Sequence, residues 1–243
     1  MKKISKLTLI IILIVVASVS LGLKFLFQNN HIEGLKSSSS MSQNSDVKSL
    51  KPRQIIFIRH GEKENSDGSL QDVDLSSNGY KRANELPNFF KNHLPYNISK
   101  PDVIIAMKQK NSKDSNRPVE TVTPLSKAFN IPIIASYKQS KINQAAEDIN
   151  KFGEDKVVLV CWEHKSLAKI AKLLGVPVNS WGYNPQAKKD DDKNYDAIWV
   201  VTKIDDTKAE LEVYKEFSVL DNGEISYDGV SSSPLFKQSF QLT

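Results

Sequence analysis

The chain has 243 residues, of which 40% are hydrophobic and 25% are charged. This length and composition predict one globular domain with additional segments, and they exclude collagen-like, wholly disordered and multi-span membrane proteins. The single cysteine, Cys161, excludes an intramolecular disulfide, and the four histidines lack the paired spacing of a structural zinc site.

Most of the net charge of +5 lies in the first 50 residues. They contain six lysines and two acids, so the rest of the chain has 27 basic and 26 acidic residues. The rest also lacks the interleaved basic and aromatic residues that a nucleic-acid groove needs. We therefore expect no nucleic-acid partner.

An apolar segment near the amino terminus predicts a membrane or export signal. Lys2, Lys3 and Lys6 precede residues 7–27, in which Lys24 is the only charge. As a helix this segment is about 31 Å long, which matches the hydrocarbon core of a bilayer. We assign residues 1–27 to a signal anchor, with a cleaved signal peptide as the alternative. Either would leave the following domain membrane-anchored or secreted, outside the cytoplasm.

Residues 28–51 are polar and serine-rich, which predicts a flexible linker before a domain at 52–243. In that domain, short apolar runs alternate with helical patterns. Strands are predicted at 54–58, 102–107, 131–135 and 156–161, and helices at 78–92, 118–129, 143–152 and 166–174. The apolar strands favour burial on both faces of a mostly parallel sheet in a three-layer α/β/α fold.

Two local features modify this pattern. Pro87 is expected to kink or shorten the first helix, because it lacks an N–H group and its ring clashes with the preceding turn. Residues 197–203 and 210–217 flank a polar turn and predict a β-hairpin, which we place at the edge of the sheet.

Ligands of open α/β sheets bind at the carboxyl ends of the strands. Arg59 and His60 follow the first predicted strand, and Arg117 precedes the second helix. Glu163 and His164 follow the fourth strand. Such a cluster of cations repels itself unless it binds an anion, and arginine forks match the oxygens of phosphate. The sequence therefore predicts a site for a phosphoryl group.

Four segments around these residues resemble motifs of the histidine phosphatase, or phosphoglycerate mutase-like, superfamily. IIFIRHGEK is similar to its strand followed by Arg-His-Gly, and LSSNGYKRA to its L-T-x-x-G-x-x-R-A helix start. RPVET is similar to R-x-x-x-T, and VVLVCWEH to the strand that carries a second histidine. Their order agrees across roughly residues 53–202, and the Arg-His-Gly-Glu-Lys sequence indicates one branch. Trp-Glu-His departs from the commoner Ser-His-Gly or Thr-His-Gly.

The resemblance implies a phosphoglycerate mutase-like fold and a role for each basic residue. His60 would attack phosphorus and form a phosphohistidine that water then hydrolyses. Arg59 and Arg117 would bind the phosphoryl oxygens, and His164 would add a hydrogen bond to the same group.

The superfamily usually takes the proton for the leaving group from a carboxylate after the third strand. Glu147 and Asp148 are the nearest acids there, and both also fit a solvated helix face. Glu62 is a further candidate, as a proton source, as a substrate-binding residue that positions Arg59 or a pocket lysine, or as a plain surface residue.

Four lysines lie close to the predicted site in the sequence. Lys63, Lys108, Lys110 and Lys113 fit a solvated charge run, which we favour over the steering of anionic substrates.

Together these features predict a phosphatase that needs neither metal nor cofactor, acts on a small phosphorylated substrate and is attached to the membrane through its N-terminal helix or secreted. One alternative is a catalytically weak module of the cell envelope that binds a phosphorylated ligand. Another is a phosphoglycerate mutase, which suits the superfamily but not the leader, because glycolytic intermediates are cytoplasmic.

Overall fold

A computed structural model of the protein describes residues 50–64, 68–69, 73–191 and 193–242. The predicted signal anchor at 1–27 and residues 28–49 of the predicted linker lie outside this part. Leu50 is 1% exposed and packs in the core, so the folded domain already includes it, two residues before the predicted boundary. No helix of the described residues has the length and apolarity needed to cross a membrane.

Four parallel strands form one half of the central sheet, in the order β3-β2-β4-β1. They are β1 (Gln54–Arg59), β2 (Val103–Ala106), β3 (Ile133–Ile134) and β4 (Val157–Trp162). Every residue of β1 and β4 is buried, as expected for runs of valine, leucine and isoleucine with a helical layer on each side. The predicted third strand is reduced to two residues.

Antiparallel strands extend the sheet beyond β1. They are β5 (Ala197–Lys203), β6 (Lys208–Lys215) and β9 (Phe236–Gln241), while β7 (Ser218–Val219) and β8 (Ile225–Ser226) form a separate pair. The β5–β6 hairpin is confirmed, but its predicted place at the edge is wrong, because β9 pairs with the outer side of β6. Phe236 and Phe240 lie on the same face of β9 and pack against the core, which accounts for this addition.

Helix α1 (Ser77–Asn88) and helix α2 (Arg117–Phe129) cover one face of the sheet. The Ser76 side chain caps α1 by accepting the Gly79 N–H. The structure keeps Pro87 inside α1 and continues the helix as a π-helical turn over Phe89–His93. The expected disturbance at proline thus becomes a change of helix type.

Helix α3 (Ile142–Ile149) and helix α4 (His164–Leu173) cover the opposite face, so the three-layer arrangement is confirmed. Helix α4 begins two residues earlier than the sequence predicts, because the Glu163 side chain caps it by accepting the Lys165 N–H. This cap makes His164 the first helical residue after β4.

Candidate active site

The two histidines of the predicted site follow neighbouring strands. Strands β1 and β4 pair in parallel with Arg59 opposite Trp162, and the His60 N–H continues the pairing by donating to the Trp162 carbonyl at 3.1 Å. His60 and His164 therefore leave the sheet at the same edge, as the strand-end rule predicts.

The loop after β1 is fixed by the amino-terminal part of α2. The Gly61 N–H donates to the Thr121 hydroxyl oxygen at 2.8 Å, and that hydroxyl donates to the Arg117 carbonyl at 2.7 Å. A Cβ atom on Gly61 would lie 2.9 Å from the Gly79 carbonyl oxygen, so only glycine permits this approach of α1. The conformation at His60 thus depends on both helices of this layer.

The ring of His60 is 5% exposed and has a defined tautomer. Its Nδ1 lies 2.7 Å from the Gly61 carbonyl oxygen, which can only accept, so Nδ1 carries the proton and Nε2 keeps its lone pair. Burial, followed by the positive charges of Arg59 and Arg117, lowers the pKa of His60 to about 3. His60 is therefore a neutral imidazole at physiological pH.

Arg59 is 2% exposed and is held by an aromatic neighbour. Its guanidinium carbon lies 3.8 Å from the centre of the Tyr195 ring, and its Nη1 donates to the Asn194 carbonyl at 3.4 Å. A planar guanidinium stacks well on such a ring, which restricts its orientation. Tyr195 is a supporting residue that sequence reasoning missed, and only its position next to the buried Arg59 reveals it.

Arg117 lies at the start of α2 and is buried. Its Nε donates to the Asp74 carbonyl at 2.8 Å, and its Nη1 donates to the Ser115 hydroxyl at 3.2 Å. These bonds orient the guanidinium group at the start of α2.

His164 is half-buried at the first turn of α4. Its Nδ1 is buried and has no hydrogen-bond partner among the described residues. Burial, followed by the charge of Arg59, lowers the pKa of His164 below its ordinary value. The start of α4 adds the positive end of a helix dipole, which favours an anion beside His164.

These four basic residues line one cavity of about 450 Å³. The structure thereby brings together Arg59, His60, Arg117 and His164, as the sequence predicted. The other charged residues that line the cavity are Lys63, Lys108, Lys110, Asp114, Lys138, Glu163 and Lys165. Lys63, Lys108 and Lys110 therefore border the site rather than a remote surface, whereas Lys113 is not part of the lining.

The predicted proton donors do not reach this cavity. Glu147 is exposed on α3 and does not line the cavity. Asp148 accepts a hydrogen bond from the Tyr137 hydroxyl at 2.6 Å and pairs with Lys151. The described acids that line the cavity are Asp114 and Glu163, and each has one buried carboxylate oxygen without a hydrogen-bond partner among the described residues.

Glu62 binds neither Arg59 nor a pocket lysine. Its carboxylate accepts hydrogen bonds from Nε and Nη2 of Arg82, the closer at 2.6 Å, and Arg82 also donates to Glu216 at 2.6 Å. Glu62 is outside the cavity lining, because a buried arginine on α1 takes up its carboxylate. The Arg-His-Gly-Glu and Arg-Ala motifs are thus joined by an ion pair.

The cavity suits an anion better than a metal ion. Among the described residues, no group of three or more His, Cys, Asp or Glu side chains could hold a metal. The lining of arginines, histidines and lysines offers hydrogen-bond donors, which match the oxygens of a phosphoryl group.

Two solved structures resemble the protein. The proposed phosphohistidine phosphatase SixA of Agrobacterium tumefaciens shares 14% identity at a TM-score of 0.40, and the match covers 63% of this chain and 93% of that chain. Phosphoglycerate mutase of Plasmodium falciparum shares 19% identity at a TM-score of 0.38, and the match covers 74% of this chain and 91% of that chain.

Both neighbours are members of the histidine phosphatase superfamily, which the four sequence motifs resemble. No protein-family model matches the sequence. No curated protein matches it either.

Proposed function

We propose that the protein is a phosphatase that hydrolyses small phosphomonoesters through a phosphohistidine on His60. The observation that carries this proposal is a buried, neutral His60 with a free Nε2 lone pair in a cavity lined by Arg59, Arg117 and His164. A phosphoryl dianion would neutralise the positive charge of this cavity and place an electrophile beside that lone pair.

In the first step, Nε2 of His60 bonds to phosphorus while the bond from phosphorus to the ester oxygen breaks. The ring becomes a cation, and its Nδ1–H bond to the Gly61 carbonyl stabilises the new charge. The guanidinium groups of Arg59 and Arg117 bind the non-bridging oxygens, over which negative charge is spread. The departing alkoxide takes a proton from a carboxyl group of the cavity, either Asp114 or Glu163.

In the second step, water attacks phosphorus and the bond between phosphorus and nitrogen breaks. The electron pair returns to Nε2, the same carboxylate accepts the proton of the water, and inorganic phosphate leaves. His60 is thereby restored as a neutral imidazole, and no metal ion takes part in either step.

The full-length protein and a His60→Ala variant test this proposal with para-nitrophenyl phosphate in the presence of EDTA. We expect turnover by the wild type and a loss of about 10³-fold or more in the variant. Radiolabelled substrate should leave an acid-labile, base-stable label on the wild type alone. His93→Ala, which removes an exposed histidine outside the cavity, is the matched control and should keep full activity.

Three outcomes would contradict parts of this proposal. Turnover that persists in His60→Ala would exclude His60 as nucleophile, and activity lost with EDTA would exclude the metal-free reaction. Phosphate binding without turnover in the wild type would instead identify a binding module for a phosphorylated ligand.

We also propose that residues 1–27 direct this domain out of the cytoplasm, where it is either anchored to the membrane or secreted. The support is the apolar segment at residues 7–27 behind three lysines. In a bacterial or eukaryotic expression host, protease added outside the membrane should digest the domain without lysis of the compartment. Protection from that protease would contradict the proposal.

A further inference from the structure

Positive charge is concentrated around the candidate site. From residue 51 onwards the chain has 27 basic and 26 acidic residues, which makes it almost neutral. The cavity at His60 and a second cavity beside it are together lined by nine lysines and arginines and by three acids, counting the described residues only. This local excess of positive charge in a nearly neutral domain favours the binding of anions.

The second cavity has a volume of about 570 Å³ and is continuous with the first in its lining. Lys63, His164 and Lys165 border both cavities, so His164 stands at their junction. Lys188 and Lys189 border the second cavity alone. We call the second cavity, with its four lysines Lys63, Lys165, Lys188 and Lys189, the lysine groove.

The loop that carries Lys188 and Lys189 is held by hydrogen bonds on both sides of the two lysines. The Ser180 hydroxyl donates to the Ala187 carbonyl at 2.8 Å, and the Trp181 N–H donates to the Asp190 carboxylate at 2.7 Å. The Asp191 N–H donates to the Trp181 carbonyl at 3.0 Å. The lysine pair is therefore attached to a braced backbone that faces the groove.

The lysines of the groove have no acidic partner in the part of the chain that the structure describes. The two nearby carboxylates of Glu163 and Asp190 each accept a backbone N–H group, so they stabilise the helix start and the loop. Their charges offset only part of the positive charge, and a second anion in the groove would compensate the remainder.

We infer that the lysine groove binds a second phosphate group of the substrate, so that the protein acts on small molecules that carry at least two phosphates. This inference rests on the proposed function, because the first phosphate occupies the cavity at His60. His164 would lie between the two phosphates, and the lysines would bind the one that is not cleaved. A monophosphate leaves the groove empty and forgoes these contacts.

Two compounds that differ by one phosphate group test the inference, namely propyl phosphate and 1,3-propanediol bisphosphate. Their affinities are measured by calorimetry with the full-length His60→Ala variant, which prevents turnover during the titration. We expect the bisphosphate to bind at least about tenfold more tightly. Adding Lys188→Ala and Lys189→Ala should bring the ratio of the two affinities close to one.

The matched control adds Lys169→Ala and Lys172→Ala, which remove two exposed lysines of α4 outside both cavities. This control should keep the tenfold ratio, which separates the groove from a general effect of net charge. Equal affinities before any lysine is replaced, or a ratio that survives the replacement of Lys188 and Lys189, would overturn the inference.

The titrations and the para-nitrophenyl phosphate assay together distinguish this inference from the proposed function. If the wild type hydrolyses para-nitrophenyl phosphate but the two compounds bind equally, the phosphatase proposal stands and the second phosphate site is wrong. If the expected affinity ratio is found but the wild type has no turnover, the groove is supported and the hydrolytic function is wrong.

Discussion

The hydroxyl of Thr121 accepts the backbone N–H of Gly61 at 2.8 Å and so attaches the loop that carries His60 to helix α2. Thr121 is fully buried, and its hydroxyl proton goes to the Arg117 carbonyl. One side chain therefore connects the backbone beside the proposed nucleophile with the backbone of Arg117, the proposed phosphate-binding arginine.

Replacing Thr121 by valine should impair catalysis more than substrate binding. The substitution keeps the shape but leaves the Gly61 N–H buried without an acceptor, at a cost of about 1–3 kcal/mol in unfolding free energy. Because Nδ1 of His60 is oriented by Gly61, we expect kcat to fall by about tenfold or more while KM changes little. Steady-state kinetics and urea unfolding measure both effects.

Thr123→Val is the control for that experiment. Thr123 lies on the same helix and donates to the Val119 carbonyl at 2.7 Å, but it does not contact the loop of His60. Its kcat should equal that of the wild type. A kcat unchanged in Thr121→Val would show that the contact supports stability alone.

The low pKa of His60 predicts how the free protein responds to acid. With a pKa of about 3 in the folded state, His60 should stay neutral between pH 8 and pH 5, and its ring ¹⁵N shifts should remain constant. An unfolded histidine has a pKa near 6.5, so below that pH the unfolded chain binds a proton that the folded chain does not. The contribution of His60 to stability is therefore lost as pH falls from about 6.5 towards 3.

His60→Gln isolates this contribution, since glutamine has no such titration. The unfolding free energy of the wild type should decrease relative to that of His60→Gln as the pH falls from 7 to 5. Titration of the His60 ring near pH 6.5 in the folded protein would contradict the assigned neutral state.

The buried cluster of Glu62, Arg82 and Glu216 predicts the opposite response to pH. Burial, together with the negative charges of Asp196 and Glu62 and against the opposing effect of Arg82, raises the pKa of Glu216 to about 8. Between pH 4.5 and about 8 the folded protein keeps a proton that the unfolded chain has released. Stability should thus decrease as pH rises through this window, by up to about 1.4 kcal/mol per pH unit.

Glu216→Gln should remove this dependence, because the amide oxygen still accepts from Arg82 but cannot ionise. Urea unfolding at pH 5, 6.5 and 8 measures the slope in both proteins. Glu224→Gln, at an exposed position, is the control and should retain the slope of the wild type. Equal slopes in the wild type and Glu216→Gln would contradict a buried proton on Glu216.

The proton donor can be identified from leaving groups of different basicity. Propyl phosphate releases an alkoxide that must be protonated, whereas the para-nitrophenolate leaves without help. Removing the donor should lower kcat/KM for propyl phosphate by about 10²-fold or more, with a far smaller loss for para-nitrophenyl phosphate. We expect this pattern in Asp114→Asn or in Glu163→Gln.

Glu147→Gln completes that comparison. Since Glu147 is exposed outside the cavity, both rates should be unchanged. A loss confined to propyl phosphate in Glu147→Gln alone would return the donor role to Glu147, one of the candidates offered by the sequence.

Much of the fold and the centre of the site could be predicted from local sequence. Continuous apolar runs predicted the buried parallel strands, and the carboxyl ends of these strands predicted Arg59, His60 and His164. The start of the second helix predicted Arg117. These predictions succeed because each depends on a strand or helix and the few residues that follow it, and parallel strands end at a common edge.

Features that depend on distant partners could be recognised only in the tertiary structure. The carboxylate of Glu62 is taken up by Arg82, and Arg82 also binds Glu216, which is 134 residues further along the chain. Strand β9, not the hairpin, occupies the edge of the sheet, because Phe236 and Phe240 on one face of β9 pack against the core. Periodicity along the chain carries no information about which charged residues form ion pairs or which strand lies at the edge of the sheet.

The same limit applies to the surroundings of the site. The sequence favours a solvated charge run for Lys63, Lys108 and Lys110, and it indicates no role for Lys138, Lys188 and Lys189. In the structure all six lysines border the two cavities. The sequence by itself identified the four basic residues of the candidate site, since three of them lie at or just after the end of a strand and Arg117 begins a helix. Only the tertiary structure decided how much positive charge surrounds the candidate site, because the lysines come from separate loops that meet around the two cavities. Electrostatic energy depends on distance in space and not on distance along the chain.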